Sequence, residues 1–276
     1  MRIAYLGPPG TFSEEAVSRC DLAGADEPLP CATFADAYQA ALEGKADAAL
    51  LPIENSLEGA IGVVLDLLVH KAGLKIRREV LLPVEQHLLG RAGARLEEVQ
   101  RVLSHPQPFG QCAGWLRAKL PRATLEATHS TADAARQVAA GAPGAAAIGS
   151  RAAAARYGLQ VLAESIQDAD ENTTRFVLLC RGDEAPTGRD KTSIAFTLDR
   201  DRPGGLYEVM GHFAARSINL SRVESRPLKQ ALGHYVFFID FEGHRLDPAG
   251  REALDHVMAG VHRFYLLGSY PRGAAT

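Results

Sequence analysis

The chain has 276 residues, 46% hydrophobic and 23% charged, with a formal net charge of −3 when its nine histidines are counted neutral. That length suits one large domain or two ordinary ones, and that composition is typical of a soluble globular protein. The weakly acidic total argues against nonspecific binding to nucleic acid or to an anionic membrane surface, although a local cluster can still hold an anionic small molecule. Met1 to Gly7 lacks the basic segment, long apolar run and cleavage site of a secretory leader. No apolar span approaches the ~20 residues of a membrane helix. Cys20, Cys31, Cys112 and Cys180 are scattered without a C-x-x-C pair, and the histidines do not fall at zinc spacing. The expectation is reduced thiols, no metal and a cytoplasmic location.

In chain order, Arg2–Leu6 reads as a strand, followed by a Gly-Pro-Pro-Gly turn and a helix from about Ser13. Phe34–Leu42 is helical, Asp47–Ile53 a strand and Ile61–His70 an apolar helix. Val80–Leu89 is strand-like with Pro83 interrupting it. Val102–Ser104 is a short strand, Pro108–Leu120 and Thr131–Ala140 are helical, and Ala145–Ile148 and Phe176–Cys180 are further strands. This alternation argues for an α/β sheet with helices on its faces. Arg181–Arg189 is polar, with Gly and Pro, and reads as a linker. Beyond it come a strand (Thr192–Leu198), a helix (Gly204–Ala215), two strands (Ile218–Val223 and His234–Phe241) around a glycine-containing turn, a helix (Ala249–Val261) and a strand (Phe264–Tyr270). That order is βαββαβ, the ferredoxin-like arrangement.

Donor-rich segments follow the strands of the first part. G-P-P-G-T-F-S-E-E-A (7–16) carries Thr11 and Glu14 at capping-box spacing, and it reads either as a well-made helix start or as an anion site. L-P-I-E-N-S-L-E-G (51–59) offers Asn55 and Ser56 as a helix cap or as ligand contacts past a strand end. In S-H-P-Q-P-F-G-Q-C (104–112), His105 is a general-base candidate or a structural turn histidine. T-H-S-T-A-D-A-A (128–135) is another hydroxyl-rich helix start. E-N-T-T-R-F (171–176) stands at the mouth of a further strand. Together these segments suggest neutral donors around Arg175, a pocket suited to a small dicarboxylate. Phe176 faces an unsaturated ring there or is a core residue.

These motifs, in this order and over essentially the whole length, resemble prephenate dehydratase with a C-terminal ACT regulatory domain. The resemblance rests on G-P-P-G-T-F-S-E-E-A, P-I-E-N-S-L-E-G, S-H-P-Q, H-S-T-A-D-A-A and S-I-Q-D-A-D-E-N-T-T-R-F, then P-G-G-L-Y and V-E-S-R-P (223–227) in the second part. It implies an α/β catalytic domain over 1–181, two-lobed and similar to periplasmic binding proteins, a linker over 182–190, and an ACT domain over 191–276. It also implies loss of CO2 and water from prephenate to give phenylpyruvate, without cofactor or metal, and feedback inhibition by L-phenylalanine in a homodimer or homotetramer.

The family's Thr-Arg-Phe falls on Thr174, Arg175 and Phe176. Thr174 is expected to donate to the leaving hydroxyl, and Arg175 to clamp the side-chain carboxylate. Thr11, Ser13, Asn55, Ser56, Ser130 and Thr131 stand at motif positions expected to line the cleft, with Gln107 a further candidate. Phenylalanine contacts are expected from Gly204, Gly205 and Leu206, from Asn219 and Leu220, and from Glu224, Ser225, Arg226 and Pro227. Two departures stand out: Pro108-Phe109 replaces Ala-Leu after the His-Pro-Gln, and Gly205 replaces alanine in the effector motif. The rivals are arogenate dehydratase, a catalytically dead phenylalanine sensor, and a ligand-binding regulator on the same two-lobed fold. For the last, no helix-turn-helix pattern or basic patch is present.

Overall fold

The computed structural model describes residues 1–20, 27–71, 73–141, 143–199, 203–228 and 234–273, and the elements below are those of the described residues. The chain starts with β1 (Arg2–Leu6), α1 (Phe12–Ser18), β2 (Glu27–Cys31), α2 (Phe34–Leu42), β3 (Ala48–Asn55), β4 (Gly59–Ala60), α3 (Gly62–His70) and β5 (Lys75–Pro83). It then builds a second sheet from β6 (His87–Arg91), β7 (Arg101–Ser104), α4 (Pro106–Gln111), α5 (Ala113–Lys119), β8 (Thr124–Ala127), α6 (Thr131–Ala139), β9 (Ala145–Gly149), α7 (Arg151–Tyr157) and β10 (Leu159–Ala163). The chain returns to the first sheet as β11 (Thr173–Cys180), giving strand orders β2-β1-β3-β11-β5 and β10-β6-β9-β7-β8. Two sheets joined by two crossings of the chain make two lobes. The crossings also bond to each other: the Val84 amide donates to the Asn172 carbonyl at 2.7 Å and the Ile166 amide to the Gln86 carbonyl at 2.8 Å.

The sequence reads a single strand across Val80–Leu89. Instead, Pro83 ends β5 and the chain crosses to the other lobe before β6 begins. The single helix expected over Pro108–Leu120 breaks at Cys112, where α4 stops and α5 starts. The break serves the second crossing, because the Asp168 carboxylate accepts from the Gly114 and Trp115 amides at 2.7 and 3.0 Å and so caps α5. β2, β8, α7 and β10 carry no periodic signal that the sequence reading detects. β2 (Glu-Pro-Leu-Pro-Cys) is an edge strand, where its two prolines cost no ladder bonds. α7 is too alanine-rich to show a face.

The C-terminal part comprises β12 (Asp190–Thr197), α8 (Gly205–Ala214), β13 (Leu220–Pro227), β14 (Tyr235–Glu242), α9 (Pro248–Gly260) and β15 (Arg263–Pro271), with strand order β13-β14-β12-β15, antiparallel throughout. This is the expected βαββαβ. The glycine-containing turn before β14 lies outside the described residues. α8 and α9 cover one face through Phe196, Phe213, Phe241, Leu254 and Val257. The other face, with Ala195, Val236, Phe238 and Tyr270, shares a core with Ile76, Val177 and Leu179 of the first lobe. Two sheets are thus stacked through their apolar faces. Gly268 permits the closest approach: its φ is 150°, and a Cβ there would run into the Ile76 carbonyl of β5. The stretch expected as a linker is pinned on both sides. Arg77 pairs with Glu184 at 2.5 Å, Lys75 pairs with Asp183 at 3.5 Å, and Arg245 also pairs with Asp183.

Candidate active site

β3 and β11 run antiparallel, and their facing ends bring Asn55 opposite Thr174. Asn55 Nδ2 donates to Thr174 Oγ1 at 2.9 Å and to Asn172 Oδ1 at 2.7 Å. The orientation of this amide is fixed chemically. Asn55 Oδ1 accepts from the backbone amides of Leu57 and Glu58, both at 3.0 Å, and a backbone N–H can only donate. The nitrogen must therefore face Thr174. With Asn172 Oδ1 accepting from Asn55, the Asn172 amide nitrogen faces Gln111 Oε1 at 3.5 Å, and the same oxygen receives Gln86 Nε2 at 3.3 Å. Gln86 in turn donates its backbone N–H to Gln167 Oε1 at 2.9 Å. A chain of carboxamides thus runs from Thr174 into both lobe crossings. Its polarity leaves the Thr174 O–H unspent, because its oxygen already accepts.

Asn55, Asn172 and Gln86 are all buried. The sequence reading did not single out Asn172, Gln111, Gln86 or Gln167. Asn172 was within reach, being part of the E-N-T-T-R-F motif. Gln111 and Gln167 lie inside the S-H-P-Q-P-F-G-Q-C and S-I-Q-D-A-D-E-N-T-T-R-F motifs as well, and Gln86 sits in a segment with no local signal of its own.

Ser56 ties the same strand ends together: its backbone N–H reaches the Thr173 carbonyl at 2.9 Å and its Oγ accepts from the Thr173 amide at 2.9 Å. Thr11 is the N-cap of α1, yet its side chain makes no cap bond and donates only weakly to the Leu6 carbonyl at 3.4 Å. The capping box is displaced by one residue, because Glu14 accepts from the Gly10 amide at 2.6 Å. Ser13 lies half-buried in the first turn of α1. The Tyr157 hydroxyl on α7 donates to the Pro9 carbonyl at 2.8 Å, and Arg156 meets Glu14 at 3.3 Å, so the α1 opening touches the second lobe. In that lobe Ser130 caps α6 by accepting from the Asp133 amide at 3.0 Å, and Thr131 is buried next to it.

Gln107 is exposed at the start of α4, where its amide donates to His105 Nδ1 at 3.4 Å. His105 is the N-cap of α4, and it lines a surface depression with His129, Asp133 and Gln137. A separate cavity of ≈ 230 Å³ lies between the lobes, lined by Phe12, Glu15, Pro83, His87, Ser150 and Arg151 among others. It contains none of the hydroxyls and amides above, so the catalytic assignment rests on the bonded group at Thr174.

Two expectations are corrected. Phe176 is 2% exposed and packs with Tyr5, Val80, Leu82 and Leu178, so it supports the strand and presents no ring to a ligand. Arg175 points away from the cleft, as the residue next to Thr174 on a strand must. Its Nε donates to Glu79 at 2.7 Å, Nη1 to Asp240 at 2.5 Å and Nη2 to the Tyr270 hydroxyl at 2.8 Å. Burial opposes this cation, but Tyr270, Asp240 and Glu79 outweigh it and hold the guanidinium firmly charged. With each of its three nitrogens bonded on that side of the sheet, it is not placed to clamp a substrate in the cleft. Within the effector set, Gly204 takes a left-handed φ of 84° before α8 and Gly205 opens that helix. Leu206 and Leu220 pack on the C-terminal core, and Asn219 accepts from the Glu242 amide at 3.0 Å. Glu224, Ser225, Arg226 and Pro227 lie on edge strand β13. Arg226 turns to Asp66 of α3 at 3.3 Å.

Two lobes around a donor-lined junction, with a βαββαβ domain stacked behind, define an α/β cleft protein with an appended ferredoxin-like module. The family model described as prephenate dehydratase matches residues 3–184. A prephenate dehydratase of Mycolicibacterium vanbaalenii is 41% identical over 288 residues, covering 98% of this chain and 91% of that one. A bifunctional chorismate mutase/prephenate dehydratase of Aquifex aeolicus is 37% identical over 272 residues, covering 99% and 74%. Among solved structures, a prephenate dehydratase from Arthrobacter aurescens in complex with L-Phe superposes with a TM-score of 0.91 at 38% identity, covering 99% and 90%. GqqA, described as a novel type of quorum quenching acylase, superposes with a TM-score of 0.89 at 33% identity, covering 99% and 98%. The chain belongs to the prephenate dehydratase family.

Proposed function

We propose that the chain converts prephenate to phenylpyruvate, CO2 and water, with Thr174 donating a hydrogen bond to the departing ring hydroxyl. The observation that carries this reading is the fixed direction of the Asn55 amide, which fills an acceptor site of Thr174 and leaves its O–H to donate. The electron pair of the ring–carboxylate bond becomes part of the aromatic ring as CO2 leaves, and the carbon–oxygen bond to the hydroxyl breaks. The oxygen departs as water after taking one proton from solvent. Aromatisation drives the step, so preorganised donors suffice where a strong acid would otherwise be needed. The substrate's carboxylates fall to hydroxyls and helix starts, with Thr11, Ser13, Ser56, Gln107, Ser130 and Thr131 as candidates. An acylase mechanism at Thr174 would need a base to take its proton, and Asn55 offers a donor instead.

The C-terminal module is read as an ACT domain over 191–276, following a catalytic part over 1–181. It binds phenylalanine between paired copies, at Gly204–Leu206, Asn219–Leu220 and Glu224–Pro227. The edge position of β13 and the exposure of Tyr207 and Val223 support pairing. The L-Phe complex of the Arthrobacter relative supports the ligand. The assembly is a homodimer or homotetramer. Among the described residues no helix is long and apolar enough to cross a membrane. A biosynthetic role supports a cytoplasmic location.

Phenylpyruvate formation from prephenate, with arogenate in parallel and with or without phenylalanine, tests the activity, the substrate and the control. Turnover of prephenate, slowed by phenylalanine, is the expected result. Preference for arogenate would make the chain an arogenate dehydratase. Phenylalanine binding with neither substrate consumed would make it a sensor.

A further inference from the structure

Glu54 and Arg175 are the chain neighbours of Asn55 and Thr174, and they face each other in the same ladder. They project from the opposite side of the sheet, where the C-terminal domain holds both. Asp240 of β14 and Tyr270 of β15 take Arg175 at 2.5 and 2.8 Å. Arg222 of β13 lies 3.5 Å from the Glu54 carboxylate, which is also 3.5 Å from Arg175 Nη1. Ser193 of β12 bonds both Asp240 and Tyr270 at 2.5 Å. β13, β14 and β15 therefore reach this one pair directly and β12 through Asp240 and Tyr270, and β13 is the strand that carries the V-E-S-R-P motif.

We propose that Arg175 and Glu54 are positioning residues through which the C-terminal domain sets the alignment of Thr174 with Asn55 on the far side of the sheet. The inference rests on the reading of that domain as a phenylalanine sensor. A packed, buried ion network rearranges between discrete states rather than stretching. A shift of β13 or β14 therefore moves Arg175, and with it the peptide that Arg175 shares with Thr174. A displacement of ~1 Å at a reacting group costs up to about 10²-fold in rate.

The test uses the full chain, with prephenate turnover and calorimetric phenylalanine binding measured on Glu54→Gln, Asp240→Asn and Arg175→Lys. Glu54→Gln and Asp240→Asn are expected to bind phenylalanine within about threefold of the parent. Their coupling factor between effector and substrate is expected to fall from the usual ~5–150-fold to about 1. Arg175→Lys keeps the charge but loses the fork, and is expected to lower kcat about tenfold with KM unchanged. A raised KM with intact kcat would restore the carboxylate clamp and overturn the proposal, as would normal inhibition in both carboxylate variants. Glu54 is 39% exposed, so its variant decides the matter if Asp240→Asn does not fold. Failure of the parent to bind phenylalanine would remove the sensor reading alone, and the kcat-against-KM split in Arg175→Lys would still decide whether Arg175 positions Thr174.

Discussion

The two faces of the β3–β11 ladder differ in kind. On the cleft face stand Asn55, Thr174 and Asn172, all neutral, with hydrogen-bond directions set by two backbone amides. One residue along each strand, on the other face, stand Glu54 and Arg175 in a charged network with Glu79, Asp240 and Lys191. The contrast has a mechanistic reason. A guanidinium in the cleft would pair with the substrate's carboxylates and stabilise the ground state, including the carboxylate that must leave. Placed beneath the sheet, the same cation joins two domains. The cleft keeps the donors proposed to act on the leaving oxygen. Burial of the ions is tolerated because each has several partners.

Substitutions on the cleft face break the comparison most strongly. Thr174→Ala is expected to lower kcat by about 10²–10³-fold with little change in KM, read by phenylpyruvate formation. Near-normal turnover in that variant would end the leaving-group role. Asn55→Asp is nearly isosteric, and its carboxylate still accepts from Leu57 and Glu58, but it has no N–H for Thr174. The Thr174 proton then turns inward and Asn172 Oδ1 loses its donor, so kcat is expected to fall up to about 10²-fold and the melting temperature to fall as well. Equal activity of Asn55→Asp and parent would show that the amide's direction is irrelevant.

Acid separates the charged face from the lobe crossing most gently. His87 sits where the chain enters the second lobe, and its Nδ1 accepts from the Ser165 amide at 3.1 Å. Burial, helped by Arg151, pushes its pKa below the ordinary 6.5. The unfolded chain then takes up a proton first, so stability here is present above about pH 6.5 and declines as pH falls toward the folded value. Asp240 behaves otherwise. Burial opposes its charge, but Arg175 and Arg222 outweigh burial and hold it below the ordinary 3.8. Its contribution is present above that pH and lost only as pH falls through the folded value. Hydrogen exchange from pH 7 to 4 is therefore expected to loosen the Ser165 amide while the interdomain strands stay protected. Simultaneous loss at both places would contradict the assignment.

Much of this protein is written locally. The alternation of strands and helices, the βαββαβ order and the hydroxyl-bearing strand ends follow from periodicity and turn chemistry, and Thr174 and Asn55 stood out in their motifs. The pieces that escaped did so for physical reasons. α7 has no apolar face to read, β2 hides behind two prolines, and Gln86, Gln111 and Gln167 acquire their roles only when the two lobe crossings meet. Arg175 lies on the far side of the sheet because a motif names neighbours in sequence while a strand sends neighbours to opposite faces.

Register completes the contrast. Between the pairs Arg175–Glu54 and Phe176–Pro52 the β3 strand carries one extra residue, Ile53. Without that bulge Glu54 would stand opposite Thr174, and a carboxylate would take the place of the amide. The sequence by itself determined most of the elements and several of the side chains that could do the chemistry, because propensity and periodicity are local. Only the tertiary structure decided that an amide meets Thr174 and that the arginine beside it belongs to the other domain, because register and facing are set by packing between distant strands.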